Sequence, residues 1–204
     1  MFGLMQGCIP FAIPPGQASI AGSGSPARSD PGSPDLAAEN EVVLRGAIHP
    51  QQLFRSQATR EIDVGAGWRV DLSREPPNLE GPYAEVSYLP WQVQDGSSLT
   101  RLGLLSFGEI LYRPGSERPG WGATLALSAE ITTFVSGTLA NGSGGDFVAA
   151  AAHGEVGVGV FAGVTHRELE RRSGLAPVGD TLLTAGISGR LPATAGIICC
   201  IKSR

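Results

Sequence analysis

The amino-acid sequence predicts an all-β fold, an antiparallel up-and-down β-barrel of about eight strands with its apolar face outward. Three observations carry that expectation. Two stretches alternate apolar and polar residues over unusual lengths. Turn chemistry recurs between such stretches along residues 41–204. No comparable stretch has the 3.6-residue period of a helix, and a composition with 29 Gly among 204 residues is poor in helix formers.

In the first stretch, Ile62, Val64, Ala66, Trp68, Val70 and Leu72 alternate with Asp63, Gly65, Gly67, Arg69 and Asp71. In the second, Trp121, Ala123, Leu125, Leu127, Ala129 and Ile131 alternate with Gly122, Thr124, Ser128, Glu130 and Thr132, broken only by Ala126. Successive side chains of a strand point to opposite sides, so each stretch has one apolar and one polar face. The expected strands are Val42–Ile48, Ile62–Leu72, Tyr83–Trp91, Thr100–Arg113, Trp121–Phe134, Phe147–His166, Thr181–Leu191 and Ala195–Lys202. Between them lie turn formers: Pro76-Pro77-Asn78, Asp95-Gly96, Pro114-Gly115, Asn141-Gly142 and Gly179-Asp180. Phe147–His166 is long enough for a hairpin turning at His153-Gly154. Its unbroken parity, Val148, Ala150, Ala152, Val156, Val158, Val160, Ala162 and Val164 on one face, favours one strand. Thr165–Arg172 is the best short helix candidate, and a charged loop explains it equally well.

Alternation alone leaves open which face is inside. The polar faces carry Gly, Ser and Thr with a few opposite charges, which suits the narrow interior of an eight-stranded barrel. Arg69, Glu109, Glu130, His153, Glu155 and Arg190 are the expected interior polar network. Glu130 and Arg190 should each find an opposite charge or several hydrogen bonds, with Arg69, Arg101, Glu109 and Glu155 as candidate partners. The apolar faces are Ala, Val, Leu and Ile of modest size. Tyr83, Trp91, Tyr112, Trp121, Phe134 and Phe147 lie near expected strand ends, whereas Trp68, Phe107 and Phe161 do not.

Residues 1–40 read as a separate N-terminal segment ahead of the 41–204 barrel domain. Pro10, Pro14, Pro15, Pro26, Pro31 and Pro34, with Gly and Ser between them, imply a flexible tether or a terminus without function. Leu4-Met5-Gln6-Gly7-Cys8 resembles the lipobox of bacterial lipoproteins, which makes Cys8 a lipidation candidate. Seven residues cannot supply both the basic and the apolar region of a signal peptide. Either translation starts upstream or the match is chance. Cys199 and Cys200 read as ordinary small side chains.

Long strands, apolar on one face and filled with small polar residues on the other, are what a membrane-spanning barrel requires. Over about residues 41–202 the chain resembles the small outer-membrane β-barrel proteins of Gram-negative bacteria. The resemblance rests on architecture and on no motif. It implies localisation in the bacterial outer membrane, the lipid bilayer as partner, and a structural, surface or anchoring role without enzymatic activity. Two features depart from that class: the chain ends Ile201-Lys202-Ser203-Arg204 rather than on an aromatic residue, and its connections look middling in length apart from the tight Pro192-Ala193-Thr194. They leave room for a soluble or lipid-tethered calyx-like barrel binding an apolar ligand. A lipid-modifying hydrolase is the second alternative, since Ser128, Glu130, His153 and Glu155 could supply a Ser/His/acid set. Pairing among interior polar groups explains those residues better, so no catalytic residue is expected. A net charge of −4 gives no basic footprint for nucleic acid. His49 and His166 lack ligand-like neighbours in sequence, so neither a metal nor a cofactor is expected. Gly157-Val158-Gly159 sits within a strand pattern without a following helix, so it is no phosphate loop.

Overall fold

The computed structural model describes residues 8–24, 41–53, 61–73, 79–112, 117–143, 146–169 and 178–200. Ten strands form one antiparallel sheet: β1 (Cys8–Ile13), β2 (Gly16–Gly24), β3 (Glu41–Ile48), β4 (Ile62–Asp71), β5 (Glu80–Asp95), β6 (Ser98–Leu111), β7 (Gly120–Ser143), β8 (Asp146–Leu169), β9 (Val178–Leu191) and β10 (Ala193–Cys200). Eight of them, β2 to β9, pair in chain order, and β9 pairs back with β2, which closes a ring. One 3-10 turn, Pro50–Leu53, is the only helical element among the described residues.

The alternation read from sequence becomes an alternation of burial. On β4, Asp63, Gly65, Arg69 and Asp71 are buried, while Ile62, Val64, Ala66 and Trp68 are exposed. On β7, Gly122, Thr124, Ala126, Glu130 and Thr132 are buried, and Leu125, Leu127 and Ile131 are exposed.

Two expectations need correction. The Pro-rich segment 1–40 contains β1 and β2, and β2 supplies a wall strand of the ring. Gln17, Ser19, Ala21 and Ser23 of β2 are buried and Ala18, Ile20 and Gly22 exposed. Pairing with β3 on one side and β9 on the other satisfies the backbone on both edges, which offsets the ordering entropy that composition alone leaves unmatched. Conversely, the expected eighth strand, Ala195–Lys202, is largely β10 and lies outside the ring.

β8 is one strand of 24 residues, as its parity implied, and Thr165–Leu169 continues it with no helix. β7 matches it residue for residue, so the two run on beyond the ring as a tongue, joined by β10 and β1. The tongue departs along a line of backbone breaks. Pro14-Pro15 separates β1 from β2, and Pro192 separates β9 from β10. Gly154, with φ of 132°, marks the same level of β8, where one extra residue enters between its pairings with β9 and β10. Proline donates no backbone hydrogen bond, so a ladder stops there.

Pairing is staggered around the ring. A path across the ladders from Trp91 passes Leu102, Ala129, Val160, Ile187, Ile20, Leu44 and Val70 and returns to β5 at Glu80, eleven residues from its start. Such stagger tilts the strands from the ring axis, by about 40° in sheets closed on themselves. The two ends also differ. At one end the connections are 25–40, 72–79, 112–119 and 170–177. The other, from which the tongue projects, has two-residue connections at 96–97 and 144–145, besides 49–61. The connections are therefore not uniformly middling.

Candidate functional site

The interior is built in layers, and β6 shows their order. Its inward residues run Arg101, Leu105, Phe107, Glu109 and Leu111, all buried. Near the tongue end, Arg101 forms an ion pair with Glu130 (Nε to Oε1, 2.7 Å) and donates from Nη2 to Glu155 Oε2 (2.6 Å). Arg190 donates from Nε to Glu130 Oε2 (2.8 Å) and from Nη1 to Asp63. His49, just beyond β3, lies between Asp63 (3.1 Å from Nδ1) and Glu85, which contacts Nε2. Gln52 of the 3-10 turn donates to Asp63 at 3.2 Å. Gly65 makes room for the imidazole, because a Cβ there would lie 2.5 Å from His49 Nε2. Burial disfavours the imidazolium, but hydrogen bonds and charge from Asp63 and Glu85 outweigh it and hold the His49 pKa above its ordinary value.

The middle layer is apolar. Tyr83, Phe107 and Phe161 meet edge to face, with ring centroids 6.0 Å and 5.7 Å apart. Leu105, Ala21, Ala47 and Ala126 complete it. Beyond it lies a second charge layer. Glu109 accepts from Arg45 (2.6 Å) and Arg69 (2.8 Å), and Glu41 accepts from Arg69 and from Arg167 (2.6 Å). The Arg45 guanidinium stands 4.7 Å over the Phe107 ring, which joins this layer to the aromatic one. Leu79, Leu111 and Leu169 cap the far end. Ser23, Thr184, Thr165 and Thr124 form a chain of hydroxyl hydrogen bonds across β2, β9, β8 and β7, at 2.8, 2.6 and 2.7 Å.

Of the interior network expected from sequence, Arg69, Glu109, Glu130, Glu155 and Arg190 are buried and paired. Arg101, Glu109 and Glu155, named as candidate partners, take part, although Glu109 serves the other layer. His153 does not belong. It keeps the parity of Glu155 but lies on the tongue, past the closed part of the ring, so it is exposed. Its ring meets Phe134 at 5.0 Å and Ser136 Oγ at 3.4 Å. The contacts do not join a Ser/His/acid set: Glu130 and Glu155 hold arginines, and the described contacts of His153 are with Phe134 and Ser136. His166 is also exposed, its ring tilted against that of Trp121 with centroids 5.5 Å apart, and its Nδ1 lies 3.2 Å from Thr181 Oγ1. Sequence reasoning missed Glu41, Arg45, His49, Asp63, Glu85 and Arg167 as network members. Glu41, Val43, Arg45, Ala47 and His49 do share one parity, a signal that the short length of Val42–Ile48 obscured.

Cys8 is not free for modification here, because its sulfur is bonded to that of Cys199. The reading of Cys199 as an ordinary small side chain falls with it. No group of His, Cys, Asp and Glu among the described residues is arranged to hold a metal ion.

The outer surface inverts the interior. Leu127 and Val158 are 70% exposed, and Leu125, Val160, Leu183 and Ile187 are more than half exposed. Ladder partners join them edge to edge, Leu104 to Leu127, Leu125 to Val164, Val160 to Ile187, Ile187 to Ile20 and Ile20 to Leu44. Tyr112 and Trp121 face outward at one end of this band and Trp91 at the other. Tyr83, expected among the end aromatics, points inward instead. Phe134 lies on the inward face of the tongue, and the Phe147 side chain lies outside the described residues. Among the described residues the Ala, Val and Leu faces thus cover the outside, whereas the calyx alternative places them around an interior cavity.

No known protein-family model matches the chain, and no curated protein matches its sequence.

Proposed function

We propose that the chain is a small β-barrel of the bacterial outer membrane, with a structural, surface or anchoring role and no enzymatic activity. One observation carries the reading: ionic side chains are sealed inside the ring while a continuous band of aliphatic side chains faces out. In water that band would be costly, and contiguous apolar surface of this kind marks contact with a partner or a membrane. Its height fits a bilayer. Tyr112, one residue past β6 and bridged to Glu80, lies ten residues along the chain from Leu102, the ladder partner of Trp91. Ten residues span roughly 33 Å along a strand, and a tilt of about 40° reduces that to about 25 Å across the membrane. Aromatic residues at both margins suit the two interfaces. Closing the ring leaves no unpaired wall strand in the hydrocarbon. The two-residue connections 96–97 and 144–145 at the tongue end match the short turns of such barrels, while 49–61 at the same end is longer than 72–79, 112–119 and 170–177 opposite.

Two measurements test the reading. Unboiled protein should migrate differently from boiled protein on an SDS gel, and should require detergent for extraction. A nitroxide at Val158 or Leu125 should be accessible to lipid-soluble oxygen. Full recovery in buffer without detergent, with no mobility difference, overturns the proposal.

A further inference from the structure

Cys8 opens β1, Cys199 lies one residue before the end of β10, and the two stand opposite each other in register with their sulfurs bonded. They are 191 residues apart in sequence, so they meet only when the first and last strands lie side by side. β1 has little else to hold it. Among the described residues it pairs with β10 alone, over six residue positions, and Pro10 offers no backbone donor. Pro14-Pro15 interrupts the ladder between β1 and β2, so the firmly paired β2 does not extend its hold to β1. Edge strands of this length are the first to fray.

We infer that Cys8–Cys199 is a redox latch. It fastens β1 to the seam of the tongue, and the ring closes independently of it. It also commits the sulfur of Cys8: a thioether-linked lipid and a disulfide need the same atom, so latch and lipid anchor exclude one another. The reaction needs an oxidant of the protein-disulfide class. One cysteine thiolate attacks a sulfur of the oxidant's disulfide and expels the other sulfur as thiolate. The second cysteine thiolate then attacks the mixed disulfide and releases the oxidant as a dithiol, which has gained two electrons and two protons. Cells keep such oxidants in the periplasm and other oxidising compartments. The inference rests on strand pairing and stands apart from the membrane reading.

The test uses the full chain carrying Cys200→Ser, isolated without reductant. Proteolysis and mass analysis should yield one cross-linked peptide pair containing Cys8 and Cys199. Hydrogen exchange is then followed with and without a water-soluble phosphine. Reduction should speed exchange of amides 8–13 at least about tenfold and leave 16–24 unchanged. Cys8→Ser should reproduce the reduced pattern without phosphine. A free thiol or a lipid mass on Cys8 overturns the latch, as does unchanged exchange at 8–13 on reduction. Equal loosening of 16–24 overturns it too, because the bond would then hold the ring itself.

Discussion

Arg190 on β9 and Glu130 on β7 bond at 2.8 Å inside the ring although β8 runs between their strands. Glycines of β8 allow it. Gly159 is the ladder partner of Glu130, and Gly157 that of Arg190, so the inward face of β8 carries no side chain where the pair meets. A Cβ on Gly159 would lie 2.8 Å from Ser188 Oγ and 3.1 Å from Glu130 Cβ.

Glu130→Leu should therefore destabilise the protein by about 3–5 kcal/mol, because Arg101 and Arg190 would both lose a buried partner. Ala129→Leu, one residue along on the outward face, should change stability by about 0.5 kcal/mol or less. Urea unfolding in detergent micelles ranks the two. A larger loss for Ala129→Leu would mean that the faces are reversed.

The glycines make a second expectation. A Cβ on Gly163 would lie 2.1 Å from the Leu125 carbonyl oxygen and 2.4 Å from Ala126 Cα, both backbone atoms. Gly163→Ala should cost about 1–3 kcal/mol. Gly22→Ala has nothing within 4 Å of the new methyl and should be neutral within about 0.5 kcal/mol. Equal effects in the same unfolding series would show that close approach of β7 and β8 does not depend on glycine.

His49 predicts a pH response. Its pKa is raised above 6.5 in the folded protein, so folding favours the protonated ring. The stabilisation is complete below about pH 6.5 and is lost as pH rises through the folded-state value. Unfolding midpoints measured between about pH 6 and 10 should fall with rising pH, and His49→Gln should flatten that part of the curve. An unchanged slope in His49→Gln would remove the imidazole as its cause.

On the outer face, Leu127→Arg should cost about 2–4 kcal/mol when unfolding is measured in lipid vesicles, the cost of a cation near the bilayer midplane. The same substitution on a water-facing surface should stay within about 0.5 kcal/mol. Vesicle measurements on Leu127→Arg thus separate the two surroundings directly.

Much of the wall was legible from period-two alternation, because a buried inner face and an apolar outer face impose opposite residue types at every step. Ile62–Leu72 and Trp121–Phe134 show this, and the parity of Val148–Val164 identified β8 as one strand. β2 was not legible. Its outward residues Ala18, Ile20 and Gly22 are small or sparse, and the surrounding prolines read as a tether. The Cys8–Cys199 contact joins opposite ends of the chain, which no local pattern reports. Arg and Glu were identifiable as inward-facing, but their pairing depends on register around the ring. Glu130 accordingly pairs with Arg190 and Arg101, while Glu109 pairs with Arg45 and Arg69. Parity places Glu155 and His153 on one face. It does not say that the ring closes between them.

The stacked interior bears on permeation. A solute crossing along the axis would have to part Arg101 from Glu130 and Glu155, displace the Tyr83, Phe107 and Phe161 rings, and then part Arg69 from Glu41 and Glu109. Each step breaks contacts that have no solvent to replace them. Reconstituted in a planar bilayer, the protein should be electrically silent under applied voltage, and vesicles containing it should retain small sugars. In the membrane setting proposed above, such a wall would separate two aqueous compartments without connecting them, and traffic between them would have to use some other route.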